Sequence, residues 1–400
     1  MSDWAHCTVR DVISHVASGP SPTCEERNVS GSEWGLLKTT AATWGGWNES
    51  AHKVPPIEYW SQERLEVHRN DVVITKAGPR NRVGVVVHVP RTRPRLMVSG
   101  KMVLLRPVPS LVVPRILADV LASQPSQKYL DDRTTGMAEA QTNFANSALL
   151  ETPLLLPPMN EQLRIAAVLD TVDETIRSAT RIITKLELVR CGLRERFCAP
   201  DGSSAGPAPL SGMVKSVVDC PHSTPEYLDS GVLVARTMHI KNGQFLSDIA
   251  SRVSEASYRE RIARLAPAPG DVVLTREAPV GEAFAIPDRM RICLGQRVVL
   301  VRPGVNLLGQ YLVELIYSNQ GQRQVRRLSA GTTNPHLNVD DIKGLAFHVP
   351  SPERQLAALR VLTAATAEIK AERAELSKLK QMRAGLAAEL LSGSVRTAAP

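Results

Sequence analysis

Arginine and lysine side chains are concentrated in two stretches of the sequence, where they could bind phosphate. Residues 72–118 contain nine basic residues and no acidic one, and residues 289–339 contain seven arginines against a single glutamate. Arginine predominates in both stretches, and its planar guanidinium group suits phosphate oxygens and the O6 and N7 atoms of guanine. The chain as a whole carries a net charge of +8, which favours a polyanionic partner.

The candidate DNA-binding residues are basic and amide side chains in or near these stretches. Amides are included because asparagine and glutamine match the edge of adenine. The candidates in the first half are Lys38, Lys76, Arg80, Arg82, Arg91, Arg93, Arg95, Lys101 and Asn143. Those in the second half are Arg236, Lys241, Arg276, Arg291, Arg297, Arg326, Arg327, Asn334 and Asn338. A single basic cluster is often only a solvated surface, but matching clusters in both halves favour binding.

The sequence lacks the motifs that carry common catalytic chemistry. It has no G-x-x-x-x-G-K-[ST] phosphate loop, no H-E-x-x-H zinc motif and no G-x-S-x-G nucleophile turn. It also lacks the Asn-Pro-Pro-aromatic or Asp-Pro-Pro-aromatic tetrapeptide of adenine methyltransferases. The six cysteines form no Cys-x-x-Cys pair, so their spacing indicates neither a zinc site nor a disulfide framework. We therefore expect a non-catalytic protein with no metal or cofactor of its own.

The chain contains an internal duplication. "LLLPPMNEQLRIAAVL" at 154–169 aligns without a gap with "FHVPSPERQLAALRVL" at 347–362, an offset of 193. "NDVVITKAGP" at 70–79 parallels "GDVVLTREAP" at 270–279, so the offset drifts only from 200 to 193. Two copies are too few for a solenoid, which needs three or more. We therefore expect two similar domains in pseudo-symmetric positions.

Each copy begins with a mixed part in which strands and helices alternate. β-branched runs such as "DVVIT" and "DVVLT", bounded by glycine and proline, predict short strands joined by turns. Helical patterns at 114–123 and 307–318 lie between the runs. The class is therefore α+β, and a length of 400 residues with 43% hydrophobic content suffices for two such cores.

Each copy ends in a long amphipathic helix whose apolar residues recur at alternating spacings of four and three. This heptad pattern is typical of coiled coils. The predicted helix-pairing residues are Ile165, Leu169, Val172, Ile176, Ile183, Leu186, Leu193, Leu362, Ile369, Leu376, Leu379, Leu386 and Leu390. Arg190 interrupts the first series, and Glu372 and Arg383 fall on the second. The alternative is an ordinary amphipathic helix on a domain surface.

The expected architecture is two pseudo-symmetric globular domains separated by a pair of long antiparallel coiled-coil helices. The predicted segments are a first domain (1–155), its helix (156–199), a Pro/Gly/Ser-rich linker (200–209), a second domain (210–350), its helix (351–393) and a tail (394–400). No apolar run approaches the roughly 18 residues that span a membrane, and no secretory signal core is present. We therefore expect a soluble, cytoplasmic protein.

The order and duplication of these features resemble the specificity (S) subunit of type I restriction–modification systems, over residues 1 to about 393. The resemblance is carried by "DCPHSTPEYLDSGVLVARTMHIKNGQF" (219–245), "GDVVLTREAPVGEAF" (270–284) and "SAGTTNPHLNVDDIKGLAFHVPSPERQ" (329–355). One departure is that the second copy has "PSPERQ" where the first has "PPMNEQ", so it lacks the usual glutamate-glutamine pair.

The resemblance implies that each globular part is a target recognition domain for one half of a bipartite DNA site. The paired helices would set the gap between the halves and dock two modification subunits, which are S-adenosylmethionine-dependent N6-adenine methyltransferases. Restriction subunits, which translocate DNA with ATP and Mg²⁺, would join them, and no cofactor would bind this chain. The alternative is a non-catalytic coiled-coil adaptor that binds partner proteins and binds nucleic acid only non-specifically.

Overall fold

The chain folds into two units, each of which contains one globular head and parts of two long helices. A computed structural model describes residues 4–138, 141–200, 206–329 and 335–397. Unit 1 comprises Met1–Ala179 and Glu375–Pro400, and unit 2 comprises Thr180–Ala374. The first head is residues 4–156 and the second head is residues 208–347. Both long helices therefore contribute to both units.

The first head contains short strands and three short helices, followed by a long helix. The strands are β1 (Ala5–Thr8), β2 (Ile13–Ala17), β3 (Gly35–Leu37), β4 (Ala42–Thr43), β5 (Gly46–Trp47), β6 (His52–Lys53), β7 (Val72–Thr75), β8 (Ala77–Gly78), β9 (Val86–His88), β10 (Leu96–Met97), β11 (Met102–Pro107), β12 (Thr135–Ala138), β13 (Gln141–Asn143) and β14 (Pro153–Leu156). The helices are α1 (Pro114–Ala122), α2 (Gln124–Asp131), α3 (Asn146–Leu150) and the long α4 (Met159–Cys198).

The second head has a similar order of elements, with fewer strands among the described residues and one additional short helix, α5. Its strands are β15 (Ala208–Pro209), β16 (Val214–Asp219), β17 (Val232–Ala235), β18 (Ile240–Lys241), β19 (Gln244–Phe245), β20 (Arg252–Val253), β21 (Val272–Thr275), β22 (Ala283–Ala285), β23 (Ile292–Leu294), β24 (Val298–Pro303) and β25 (Ala346–Phe347). Its helices are α5 (Glu255–Arg261), α6 (Gly309–Tyr317), α7 (Asn319–Ser329), α8 (Val339–Lys343) and the long α9 (Pro352–Ser392).

The two heads share the topology of three of their sheets. The main sheet has the order β2-β11-β7-β9 in the first head and β16-β24-β21-β22 in the second. In a three-stranded sheet, the parallel pair β3–β10 corresponds to the parallel pair β17–β23. A two-stranded sheet joins β1 to β14 and, in the second head, β15 to β25. The α+β class and the duplication predicted from the sequence are confirmed.

The central strands are apolar at consecutive positions because both faces of the main sheet are buried. Successive side chains of a strand point to opposite faces. In β7, Val72 and Ile74 pack in the cluster that contains α1, whereas Val73 packs with the three-stranded sheet. In β21, Val272 and Leu274 pack with α6, and Val273 packs on the other face. This sandwich explains why the runs lack the polar alternation of a half-exposed strand.

Within each unit the segments of α4 and α9 run antiparallel. In unit 1, Ile165 and Leu169 share a core cluster with Ala387 and Leu390, while Asp173 binds Arg383 farther along. In unit 2, Glu187 binds Arg373, and Arg190 donates to Thr366. Increasing numbers on one helix thus meet decreasing numbers on the other. α4 and α9 have 40 and 41 residues, or about 60 Å each at ~1.5 Å per residue.

The predicted helix-pairing residues lie on the covered faces of these helices. None of the thirteen is exposed: Ile165, Leu169, Ile183, Leu362, Ile369 and Leu390 are buried, and the other seven are half-buried. By contrast, Leu188 and Val189 of α4 are 68% and 57% exposed. Among the described residues, no helix is both long enough and apolar enough to cross a membrane.

The duplicated stretches at 154–169 and 347–362 form the same junction in both heads, through a buried glutamine. Gln162 accepts a hydrogen bond from the Val113 backbone N–H (2.8 Å) and donates to the Pro157 carbonyl (2.9 Å). Gln355 accepts from Leu308 N–H (2.8 Å) and donates to the Pro350 carbonyl (2.7 Å). Val113 and Leu308 directly precede α1 and α6, so each amide ties the start of a long helix to the start of a head helix.

Candidate nucleic-acid interface

Some predicted DNA-binding residues of the first head form hydrogen bonds within that head. The Lys76 ammonium group donates to Ser18 Oγ (3.1 Å) and Asn146 Oδ1 (3.2 Å), and its burial lowers its pKa. The Arg82 guanidinium donates to the carbonyls of Thr39 (2.7 Å) and Ala42 (2.8 Å), at the base of the β4–β5 hairpin. Both side chains hold loops of the head together.

Two predicted residues of the second head have similar internal partners. Arg276 binds both carboxylate oxygens of Asp219, at 2.8 and 2.7 Å, and also donates to the Leu337 carbonyl. The Arg236 guanidinium lies 4.6 Å from the centre of the Tyr227 ring and donates to Ser251 Oγ. Arg276 is therefore a structural cross-link between β21 and β16.

Four predicted residues form ion pairs at the surface. The pairs are Lys38 with Glu26 (2.6 Å), Arg80 with Asp131 (2.7 Å), Arg291 with Glu255 (2.6 Å) and Arg297 with Glu277 (3.2 Å). Hydrogen bonds from Lys38 and Arg291 lower the pKa of Glu26 and Glu255. Exposed pairs of this kind are weak, so an incoming phosphate can replace the carboxylate.

The remaining basic candidates are the most accessible. Arg91, Lys101, Lys241, Arg326 and Arg327 are exposed, and within the described ranges their side chains form no hydrogen bond or ion pair. Arg93 and Arg95 lie in a loop, where their guanidinium groups donate to the carbonyls of Gly31 (3.4 Å) and Ser32 (2.7 Å). Each head therefore exposes basic side chains that internal acids leave unneutralised.

The predicted amide residues have mixed surroundings. Asn143 is exposed on β13, and its Oδ1 accepts a hydrogen bond from Thr135 Oγ1 (2.9 Å). Asn338 is exposed and caps α8 through a capping box with Asp341. Asn334 lies outside the described residues. Asn143 is thus the amide candidate whose NH₂ group is most available to a ligand.

Sequence reasoning missed two further exposed arginines of the second head. Arg289 and Arg323 are exposed, and neither side chain has a hydrogen-bond or ion-pair partner in the part of the chain that is described. Arg289 and Arg291 precede β23 as Arg93 and Arg95 precede β10. This shared Arg-x-Arg spacing before the parallel strand would have identified Arg289.

Two other arginines within the basic stretches have a structural role. Arg106 in β11 binds Asp71 through two hydrogen bonds of 2.9 and 3.0 Å. Arg302 in β24 binds Asp271 in the same way, at 2.9 and 2.7 Å. Both aspartates are buried, at 1% and 2% exposure. These matched pairs lock the ends of the central strands and leave little charge for a ligand.

The described residues contain no metal-binding cluster, and two of the buried thiols are held protonated. No group of three or more histidine, cysteine, aspartate or glutamate side chains within them is arranged to hold a metal ion. Burial raises the pKa of the Cys198 and Cys293 thiols to about 12 and about 11, which suppresses the nucleophilic thiolate at neutral pH. What the described surface offers is charge and hydrogen-bond donors.

Fold and surface together define a duplicated α+β protein with exposed basic residues on each head. Residues 67–188 match the family model described as the type I restriction modification DNA specificity domain. The chain is 31% identical over 185 residues to the EcoEI specificity subunit of Escherichia coli, a match that covers 46% of this chain and only 31% of that relative. It is 19% identical over 412 residues to the putative MjaX specificity subunit of Methanocaldococcus jannaschii, covering 98% and 94% of the two chains.

Two solved structures share the fold of this chain. A chain from the type I R-M system, solved to explain its complex assembly and conformational transition, aligns with a TM-score of 0.61 at 16% identity over 99% of both chains. The S subunit from M. genitalium aligns with a TM-score of 0.53 at 14% identity, over 97% of this chain and 96% of that chain. The chain is therefore similar to type I restriction–modification specificity subunits, in sequence over part of its length and in fold over nearly all of it.

Proposed function

We propose that this protein is the sequence-specific DNA-recognition subunit of a type I restriction–modification complex. Each head recognises one half of a bipartite DNA target, and the helices α4 and α9 set the gap between the halves. The observation that carries this proposal is the repetition of one fold at a nearly constant offset, with exposed basic residues on each copy. Two equivalent recognition domains suit a target made of two half-sites.

The exposed basic residues supply affinity, whereas base contacts supply specificity. Most protein–DNA hydrogen bonds go to phosphate and sugar, and they fix the position of the protein on the duplex. Arg91 and Lys101 have this role in the first head, and Lys241, Arg326 and Arg327 have it in the second. Asn143 is the amide placed to contact adenine. The chain itself performs no catalysis.

The chemistry belongs to partner subunits. Two modification subunits supply N6-adenine methylation with S-adenosylmethionine, and restriction subunits supply ATP- and Mg²⁺-dependent translocation and cleavage; the complex acts on DNA in the cytoplasm. Matched apolar residues support the docking of two partner copies. Leu163 and Leu356, 193 positions apart, are 54% and 48% exposed, and Val168 and Val361 are 39% and 42% exposed.

Removing two exposed cationic side chains from the first head should lower the salt dependence of DNA binding. The double variant Arg91→Ala/Lys101→Ala should weaken binding to all sequences, and the slope of log K against log salt should fall by about 0.9 for each phosphate that is no longer neutralised. The measurement is a salt titration of the complex with its modification subunits. Lys380→Ala, an exposed lysine of α9, is the matched control. If the double variant had the same slope as the wild type, neither residue would contact DNA phosphate.

Charges placed on the matched leucines should prevent docking of the modification subunits. In Leu163→Glu/Leu356→Glu, a carboxylate must be desolvated in each interface, so the assembled mass should fall by two modification subunits in light scattering. Leu188→Glu is the control, because Leu188 is 68% exposed and its counterpart 193 positions on is the polar Gln381. Full assembly of the double variant would place the docking surface elsewhere.

A further inference from the structure

An arginine interrupts the apolar series at the same place in both long helices. Arg190 of α4 and Arg383 of α9 are 193 positions apart, which is also the offset between the duplicated stretches 154–169 and 347–362. An arginine on a helix face that is otherwise apolar has to lose its water shell, so its partners decide whether it is tolerated. Both arginines find acidic partners on a helix of a head.

In unit 2 the arginine joins three helices. Arg190 donates to Glu314 of α6 (2.7 Å) and to Thr366 of α9 (2.6 Å). Arg194, one turn farther along α4, donates to the other carboxylate oxygen of Glu314 (2.7 Å). Glu314 is only 8% exposed, so these bonds form an Arg–Glu–Arg triad largely shielded from solvent.

In unit 1 an equivalent network forms at the corresponding positions. Arg383 donates to Asp119 of α1 (2.7 Å) and to Asp173 of α4 (3.2 Å). Arg115 of α1 bridges the same two aspartates and also binds Asp170. Asp119 occupies the place of Glu314, at an offset of 195, and Asp173 occupies that of Thr366, at an offset of 193. The second arginine of the network is Arg115, on the head helix α1, in unit 1, whereas in unit 2 it is Arg194, on the long helix α4.

We propose that Arg190 and Arg383 are positioning residues that fix the register of α4 and α9 against each head, and thereby the gap between the two DNA half-sites. This inference rests on the proposed function. An apolar seam alone tolerates sliding by a heptad, since each leucine meets another apolar residue. A slip would leave a buried arginine and its carboxylate unpaired, which is strongly unfavourable, so the networks select one register.

The test replaces the triad of unit 2 by apolar residues of similar volume. Buried ion-pair triads can be replaced in this way without loss of stability, so Arg190→Met/Arg194→Met/Glu314→Leu should melt no earlier than wild type. The complex with its modification subunits is assayed for methylation of DNAs whose half-sites are separated by the native gap or by one base pair more or less. We expect preference for the native gap to fall at least tenfold while the half-site sequences stay the same.

The control removes an ion pair that joins the same two helices without touching a head. Arg373 and Glu187 are 62% and 43% exposed, and Arg373→Met/Glu187→Leu should keep the native gap preference. An unchanged preference in the folded triple variant, or an equal loss in the control, would overturn the inference. If the triple variant does not fold, the single variant Arg190→Lys is tested in its place, because lysine keeps the charge but cannot bridge Glu314 and Thr366. A wild-type gap preference in Arg190→Lys would also overturn the inference. A wild-type complex that methylates no bipartite site would instead refute the proposed function.

Discussion

Individual arginines have different roles here, although the sequence presents them as one cluster. The acid-free stretch 72–118 is bounded by Asp71 and Asp119, and its own arginines bind these two residues: Arg106 binds the first and Arg115 the second. Counting charge along the chain therefore overstates the charge available to DNA. The Arg115–Asp119 pair is local, four residues apart on α1, but the Arg106–Asp71 pair joins residues 35 positions apart, and no local pattern records such a tertiary contact.

At the same scale, the buried glutamines predict a measurable loss of stability. Gln355→Leu would leave the Leu308 N–H and the carbonyls of Asn306 and Pro350 without their partner. Asn306 is exposed, so water can replace the amide there. Each of the other two groups costs about 1–3 kcal/mol when left unpaired, so the free energy of unfolding should fall by about 2–6 kcal/mol in urea titrations. Gln381→Leu, at an exposed position of α9, should change it by less than about 0.5 kcal/mol. Equal changes in the free energy of unfolding for the two variants would show that Gln355 does not stabilise the junction.

At the scale of elements, local pattern predicted more of the fold. The runs at 72–75 and 272–275 are strands, and the patterns at 114–123 and 307–318 are helices α1 and α6. The helix predictions succeeded because burial of one face leaves a periodic signal, and the strand predictions succeeded because burial of both faces leaves a short continuous apolar run. The pairing of β3 with β10 is parallel and spans about 60 residues, so no local signal could predict it.

Neighbouring residues of α4 test which of its faces is buried. Leu169 is fully buried beside the α1 cluster, whereas Val168 is 39% exposed. Leu169→Ala should lower the free energy of unfolding by about 2–5 kcal/mol, because apolar burial decreases and a cavity is left behind. Val168→Ala should cost about 0.5 kcal/mol or less. Similar decreases for the two variants would mean that another face of the helix is buried.

At the scale of the molecule, the duplication predicted two heads but not the composition of the units. The sequence suggested consecutive segments, with the helix 156–199 after the first domain and 351–393 after the second. The observed units divide both helices: unit 1 takes α4 to Ala179 and α9 from Glu375, and unit 2 takes the rest. Periodicity shows that a helix has an apolar seam, but it does not show which part of the seam meets which head.

The central claim is that each head recognises its own half-site, and exchanging one head tests it most directly. Residues 208–350 are replaced by the equivalent segment of a specificity subunit with another target, so that β15 and β25 are exchanged together and their pairing is kept. Glu314 and Tyr311 are retained, because they bind Arg190 and the Phe197 carbonyl. Methylated sites are then mapped across a genome. We predict that one half of the bipartite target changes while the other half and the gap remain. A target that changes in both halves or in neither, or methylation without sequence preference, would contradict the claim.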